Sequence, residues 1–181
     1  MTHVVLLNGP SSVGKTSLAK ALQAAVGGPL LHVQMDVFLE MLPAGVFGHS
    51  DYFRFETTTE DGHPVTAIHS GPHMARVLSG MRRAVAAMAA DGLDLVVDDV
   101  FWGDELADYR ALLAPFDFHA VAVTAPLEVL EARERERGDR VLGLARWQRA
   151  RMAAEGYDLA IDNAALAADA AAALIKARFG L

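Results

Sequence analysis

A glycine-rich segment near the start of the chain constrains the fold more than any other feature. It reads GPSSVGKT over residues 9–16, matches the pattern G-x-x-x-x-G-K-[ST], and lies between an apolar run and a helical pattern. Because glycine reaches backbone angles closed to other residues, Gly9 and Gly14 allow consecutive N–H groups to point inward around phosphate oxygens. A flexible glycine-serine turn is the alternative, but pattern, position and flanking elements together favour a phosphate-binding loop.

The residues of this loop predict the groups that it binds. The helix that begins near Lys15 directs its positive end at a phosphate. Lys15 is expected to reach the terminal phosphates of a nucleotide and to be a catalytic residue, and the Thr16 hydroxyl to ligate Mg²⁺. The predicted nucleotide-binding residues of the loop are Gly9, Pro10, Ser11, Ser12, Val13, Gly14, Lys15, Thr16 and Ser17.

Apolar runs alternate with helical patterns along the chain, which is typical of an α/β fold with a doubly wound sheet. The runs are rich in Val, Leu and Ile without polar alternation, as expected for parallel strands buried on both faces. The predicted strands are His3–Leu7, Leu30–Met35, Leu93–Val97, Phe118–Val123 and Tyr157–Ile161. The predicted helices are about Lys15–Val26, His73–Ala90, Glu105–Leu113, Pro126–Arg137, Leu142–Ala154 and Ala165–Arg178.

One segment, Pro43–Pro72, shows no sustained period of either kind. It contains glycines, prolines and aromatic residues, and long irregular segments inside compact domains are often lids or binding loops. We therefore expect an irregular segment over about residues 37–72 that forms the acceptor side of a site.

The charge and residue types exclude several classes of protein. The chain has 23 acidic and 16 basic residues, a net charge of -7, which argues against a general nucleic-acid-binding protein. It has no cysteine, so disulfides and thiolate metal sites are excluded. The start MTHVVLLNG is typical of a first strand rather than of a signal peptide, and no run approaches the ~18 apolar residues of a membrane span. We expect a cytoplasmic protein without a membrane partner, and a homo-oligomer is one open option.

Two carboxylates end a third apolar run, LDLVVDDVF over residues 93–101. Because the carboxyl ends of parallel strands meet at one edge of the sheet, these acids should approach the phosphate loop. Asp98 is predicted to orient the water shell of Mg²⁺, and Asp99 to lie near the acceptor. The assignment of the metal to one of the two acids stays open, and the pair could instead cap the next helix or face solvent.

A further carboxylate, Asp36, follows the second predicted strand in HVQMDVFLEML over residues 32–42. It should emerge at the same sheet edge as the loop, where open α/β sheets bind ligands. A carboxylate at this place can accept the proton of an attacking hydroxyl. The competing interpretation is an N-cap of a helix over Val37–Leu42, and the two roles are compatible.

Arginine is concentrated in one segment, since seven of the thirteen arginines fall between residues 133 and 151 among only three acids. Arg133, Arg137 and Arg140 share a helical face, and Gly138 offers a hinge. A solvated face of surface ion pairs is the alternative. Given the phosphate loop, we predict a lid over about residues 133–146 that closes on the phosphates, with Arg137 and Arg140 catalytic and Arg133 binding the nucleotide.

Together these motifs resemble the chloramphenicol phosphotransferase family of P-loop kinases. The resemblance is carried by LNGPSSVGKTSLAKAL, Asp36, VVDDVF and ERGDRV, and by Gly71-Pro72 before a long helix. It implies a three-layer P-loop kinase fold with a five-stranded parallel sheet and an arginine-containing lid, like that of shikimate and nucleoside monophosphate kinases. It also implies ATP-dependent phosphorylation of a hydroxyl, with Asp36 as base and with Arg137 and Arg140 in the lid.

The acceptor is predicted from the segment that follows Asp36. Between residues 37 and 61 the chain carries five acids and one arginine, so a phosphorylated or carboxylated acceptor would meet repulsion. We expect a small, mostly neutral molecule with a free hydroxyl, such as chloramphenicol or a related natural product, and hence a role in antibiotic resistance. The predicted acceptor contacts are Asp36, Val37, Phe38, Met41, Phe53 and Asp99.

Two other classes of function stay open. A nucleotide or sugar-nucleotide kinase, including a toxin resembling the zeta family, would need several cations near its acceptor. A nucleotide-dependent switch ATPase would need partner-facing elements and a water-positioning residue, for which 181 residues leave little room. The whole chain, residues 1–181, is predicted to form a single P-loop kinase domain.

Overall fold

The computed structural model describes residues 1–138, 140–152 and 155–181. In these ranges the chain forms seven strands and seven helices. The strands are β1 His3–Asn8, β2 Leu31–Gln34, β3 Phe53–Glu60, β4 His63–Ser70, β5 Leu95–Asp99, β6 Asp117–Thr124 and β7 Leu159–Asp162. The helices are α1 Lys15–Val26, α2 Met35–Glu40, α3 Pro72–Ala90, α4 Glu105–Leu112, α5 Leu127–Arg137, α6 Leu144–Arg149 and α7 Ala168–Phe179.

Five parallel strands form the central sheet, in the order β2-β5-β1-β6-β7. Alternate residues of β1 face opposite sides: Val5 and Leu7 belong to the core that includes α1 and α7, and Val4 and Leu6 to the core that includes α3 and α4. Because both faces of the strand are covered by helices, its sequence lacks polar alternation. The predicted three-layer α/β fold with a five-stranded parallel sheet is confirmed.

The carboxyl ends of β1, β2 and β5 meet at one edge of this sheet. The register places Asp98 of β5 beside Leu7 of β1 on one side and Gln34 of β2 on the other. The phosphate loop leaves β1 at this edge, and α2 with Asp36 leaves β2 directly beside it. Three chain segments that are distant in sequence therefore approach one another at the position where parallel sheets bind ligands.

Three helices differ from their predicted boundaries by more than one residue, and one of them is α7, which begins at Ala168 and not at Ala165. Helix α2 begins at Met35, because β2 ends at Gln34 and this residue is the extended N-cap of the helix. Asp36 consequently lies in the first turn of α2 and is not its cap. Helix α6 covers Leu144–Arg149 within the predicted Leu142–Ala154, whose residues 153 and 154 lie outside the described ranges. No helix formed by the described residues is long and apolar enough to cross a membrane.

The segment predicted to be irregular contains an antiparallel hairpin of β3 and β4. Its turn holds Asp61 and Gly62 between Glu60 and His63, with φ of 48° and 78° at the two central residues. An Asp-Gly pair with positive φ at both positions is a strong hairpin signal. The strands themselves escaped prediction because β3 is largely exposed and reads FRFETTTE, without a regular apolar alternation.

Candidate active site

The phosphate loop connects β1 to α1. Gly14 has φ +97°, a left-handed conformation that L side chains rarely adopt. Gly9 differs from the expectation, because its φ is not positive. Glycine is required there because a Cβ would collide with the carbonyl oxygen of Val123 in β6. The loop is therefore shaped by backbone conformation at Gly14 and by the close approach of a neighbouring strand at Gly9.

The side chain of Lys15 is buried inside the loop, with 7% of its surface exposed. Its Nζ donates to the carbonyl oxygens of Gly9 at 2.8 Å and Pro10 at 3.2 Å, and lies 3.8 Å from Asp98 Oδ1. Burial lowers the pKa of Lys15, and the negative charge of Asp98 opposes this shift. Because an ammonium has three donors and the loop carbonyls accept two of them, one donor remains for a phosphate oxygen.

Asp98 lies opposite the loop, at the end of β5. Thr16 Oγ1 donates to Asp98 Oδ2 at 2.7 Å, and His32 Nε2 lies 3.7 Å from the same oxygen. Burial by itself raises the pKa of Asp98, but the His32 ring, the Lys15 charge and the Thr16 hydroxyl together bring it below 3.8. The carboxylate is therefore ionised at neutral pH. Together with the Thr16 hydroxyl it presents two neighbouring oxygen atoms that could ligate a cation.

The neighbouring Asp99 points to the other side of β5, into the protein. Its Oδ2 accepts a hydrogen bond from Tyr109 Oη at 2.8 Å, and its Oδ1 accepts one from the Val100 N–H at 2.7 Å. Burial raises the pKa of Asp99, and these hydrogen bonds partly offset the shift. Since both oxygens are bonded and the residue does not line the cavity described below, the structure does not bring Asp99 to the predicted acceptor contact.

Asp36 projects from the first turn of α2 toward the cavity between loop and hairpin. Its side chain is 54% exposed, and its Oδ2 lies 4.0 Å from Arg140 Nη2. The carboxylate is therefore open to a ligand while remaining beside a cation of the predicted lid.

The predicted lid arginines occupy different places. Arg133 donates to the carbonyl oxygens of Val13 at 3.2 Å and Asn163 at 3.1 Å, which attaches α5 to the back of the phosphate loop. Arg137 ends α5 and Arg140 follows Gly138, and both line the main cavity. The Asp139 of the RGDR motif lies outside the described residues. The structure thus brings two of the three arginines to the cavity and places the third behind the loop.

A cavity of about 720 Å³ joins the phosphate loop to the hairpin. Lys15, Thr16, Asp98 and Asp36 line it at the end nearer the sheet. The opposite walls come from the hairpin and the segment before it, the segment after β5, and α6. Their large apolar side chains are Phe47, Phe53, Phe55, Ile68, Phe101, Trp102 and Trp147.

The predicted acceptor contacts on α2 only partly reach this cavity. Met35, Asp36 and Leu39 line it, whereas Val37 and Met41 are exposed elsewhere and Phe38 packs against the core beside α3. The difference follows from the earlier start of α2, which turns another face of the helix toward the cavity. Of the predicted set, Asp36 and Phe53 line the cavity.

Sequence reasoning missed three residues of the site. Asn8 is fully buried at the end of β1, and its side chain bonds both the N–H and the carbonyl oxygen of Phe101, which holds one cavity wall. Its polar type at the end of an apolar run was the available signal. Arg82 of α3 lines the cavity, and its Nη2 lies 3.2 Å from Oδ2 of Asp108 in α4. Gln148 reaches it from α6, and neither Arg82 nor Gln148 belongs to a local motif.

A smaller cavity of about 440 Å³ lies on the other side of the loop. It shares Ser12, Gly14, Ser17 and Arg137 with the main cavity. Its remaining lining comes from α5 and from the segment between β7 and α7, including Arg133 and Leu166. The phosphate loop therefore separates two connected spaces, one beside Asp36 and one beside Arg133.

Comparison with known proteins places this arrangement in context. A family model described as chloramphenicol phosphotransferase-like protein matches residues 2–180. A candidate O-phosphotransferase of Mycobacterium tuberculosis H37Rv is 33% identical over 169 residues, which is 90% of this chain and 75% of that protein.

Solved structures share the fold at low sequence identity. The APS kinase CysC of Mycobacterium tuberculosis, in complex with AMPPNP and APS, superposes with a TM-score of 0.70 at 17% identity, covering 99% of this chain and 98% of the other. The tunicamycin resistance protein of Deinococcus radiodurans gives a TM-score of 0.68 at 19% identity, covering 100% and 97%. These likenesses establish the arrangement of the elements.

Proposed function

This chain belongs to the chloramphenicol phosphotransferase-like family and is a small-molecule kinase, and we propose that it transfers the terminal phosphoryl group of ATP to a hydroxyl of a small, mostly neutral molecule. One observation carries the proposal. A single cavity has the phosphate loop, Asp98 and Asp36 at one end and an aromatic wall opposite them. Donor and acceptor can therefore bind side by side next to a carboxylate.

We assign the nucleotide to the loop and the smaller cavity. The loop N–H groups and the remaining donor of Lys15 would hold the phosphates. A nucleotide whose phosphates lie on the loop leaves its nucleoside beside Arg133, where the smaller cavity of about 440 Å³ opens. Arg133 is already bonded to the loop carbonyl of Val13, so in this assignment it shapes the site and packs beside the nucleoside.

Thr16 and Asp98 fit a magnesium ion. Their oxygens lie 2.7 Å apart, and the carboxylate is held ionised. No group of three His, Asp or Glu side chains in the described ranges forms a closed metal site, which suits a cation that takes its other ligands from water and phosphate. When bound, Mg²⁺ neutralises charge on the phosphate oxygens.

Asp36 and the two lid arginines have separate roles in the transfer of the phosphoryl group. Asp36 accepts the proton of the acceptor hydroxyl, and the hydroxyl oxygen forms a bond to the terminal phosphorus. The bond from that phosphorus to the departing diphosphate oxygen breaks, which gives ADP and a phosphate ester. Arg137 and Arg140 supply positive charge on the lid side of the phosphates, and closure over them excludes water.

The aromatic wall supports a neutral acceptor with a ring or another flat apolar part. Phe47 and Phe53 lie with ring centroids 6.4 Å apart, and Trp102 contacts Trp147 edge to face at 4.8 Å. Such walls bind apolar ligand surface, and the few polar groups orient it. An antibiotic such as chloramphenicol fits this description.

Arg82 is the observation that favours a second class of acceptor. Its side chain is only 12% exposed and lines the cavity on the acceptor side, so an anionic group could bind there. Asp108 already pairs with it at 3.2 Å. Because this pairing balances the charge within the protein, we place a phosphorylated or sugar-nucleotide acceptor second to a neutral one.

The test is a panel of acceptors at one ATP concentration. Chloramphenicol, neutral glycosides, aminoglycosides, shikimate and nucleoside monophosphates are compared by the mass gain of one phosphate. We expect transfer to a neutral hydroxyl compound and little ATP hydrolysis without an acceptor. Preferred transfer to shikimate or a nucleotide would overturn the neutral acceptor, and rapid hydrolysis without any acceptor would favour a switch ATPase.

A further inference from the structure

Helix α6 is attached to the phosphate loop through one buried side chain. Gln148 is only 5% exposed, and its Oε1 accepts a hydrogen bond from the Ser11 N–H at 2.7 Å. Ser11 is the third residue of the loop pattern that begins at Gly9. Helix α6, which begins within the predicted lid segment and continues beyond it, therefore already contacts the loop at Ser11.

This hydrogen bond fixes the orientation of the amide. Because the Ser11 N–H is a donor, the atom facing it is the carbonyl oxygen of Gln148, and Nε2 faces the other way. Gln148 lines the main cavity, and within the described part of the chain none of its hydrogen bonds uses Nε2. Nε2 is not one of the fully buried unpartnered polar atoms of the described residues, so it is accessible from the cavity, and its two N–H groups can donate to a ligand there.

The helix that carries Gln148 is held firmly in place. Glu134 of α5 is buried and accepts hydrogen bonds from the N–H groups of Gly143 at 2.9 Å and Ala145 at 2.6 Å, at the start of α6. On the hairpin side, Thr66 donates through its N–H to the Gly143 carbonyl at 3.1 Å and through Oγ1 to the Leu142 carbonyl at 2.6 Å. Two independent supports therefore position α6, which is what a group acting on a reacting phosphate requires.

We propose that Gln148 Nε2 donates a hydrogen bond to the terminal phosphoryl group of ATP and is a catalytic residue of the transfer. The assignment rests on the proposed function, because it takes the loop as the site of a nucleoside triphosphate. Gln148 reaches the loop from the cavity side, where the terminal phosphate meets the acceptor. In this arrangement Oε1 keeps its hydrogen bond from the Ser11 N–H, while Nε2 donates to the third phosphate, which ATP has and ADP lacks.

The experiment compares the affinity for a non-hydrolysable ATP analogue with that for ADP, by titration calorimetry with Mg²⁺ and without an acceptor. Gln148→Glu keeps an oxygen for the Ser11 N–H but replaces the donor with a negative oxygen. It should weaken the ATP analogue by about 10- to 100-fold, and ADP by less than about threefold. Gln148→Met removes both groups at similar volume and serves as the second variant. It should also weaken the ATP analogue more than ADP.

Lys20→Gln is the charge control, because Lys20 is exposed on α1 away from both cavities and its loss changes the net charge by the same amount. It should leave both affinities unchanged. Equal loss of ATP analogue and ADP in the two Gln148 variants would show that Gln148 only shapes the loop, and unchanged affinity for both would exclude a phosphate contact; either result overturns the proposal. Failure of the wild-type protein to bind either nucleotide would instead overturn the proposed function.

Discussion

Replacing Asp36 by asparagine should change the rate of transfer far more than the free energy of unfolding. Asparagine keeps the shape of the side chain but cannot take the hydroxyl proton. Loss of a general base lowers the rate by ~10²–10⁴, which corresponds to about 2.7–5.4 kcal/mol on the barrier. The folded state should change much less, because an exposed acid in a first helical turn contributes about 0.3–1 kcal/mol, and an exposed ion pair such as that with Arg140 at most about 1 kcal/mol.

The assay measures kcat and the acceptor KM separately at saturating ATP, with urea unfolding as the measure of stability. Glu40→Gln is the matched control, since Glu40 ends the same helix, is exposed and is not part of the cavity lining. We expect kcat to fall in Asp36→Asn alone. If kcat stays within a few-fold of wild type and only the acceptor KM rises, Asp36 positions the acceptor and its assignment as the base is refuted.

Further variants test the rest of the site. Lys15→Ala should lower transfer by about 10²-fold or more without unfolding the protein, because it removes a charge and its two hydrogen bonds to the loop carbonyls but no residue of either apolar core; activity near wild type would contradict the loop assignment. Arg137→Ala and Arg140→Ala should each lower kcat more than ATP affinity, with Arg135→Ala on the outer face of α5 as the control; lost ATP affinity at unchanged kcat would exclude a lid role. Asp99→Asn tests the buried carboxylate, whose pKa is raised above 3.8. Because the folded wild type binds this proton more tightly than the unfolded chain, its stability should fall as the pH rises from 3.8 through the raised pKa, and the variant should lack this slope in urea unfolding from about pH 4 to about pH 8. Identical slopes would show that Asp99 does not carry the pH dependence.

Local sequence was sufficient for the phosphate loop and for the class of fold. The spacing of Gly9, Gly14 and Lys15 specifies how the backbone turns within eight residues, and the apolar runs specify strands that are covered on both faces. These signals depend only on neighbours along the chain. The Asp61-Gly62 turn was a signal of the same kind, and with it the hairpin could have been predicted.

The tertiary structure decided which side chains share the site. Asp98 and Asp99 are adjacent in sequence, but alternation along β5 turns one toward the loop and the other toward Tyr109, and only the packing of the sheet settles which is which. Gln148 meets Ser11 across 137 residues, because α6 packs against both α5 and the hairpin. No local sequence pattern predicts this contact, because it depends on how helices and strands that are distant in sequence pack together.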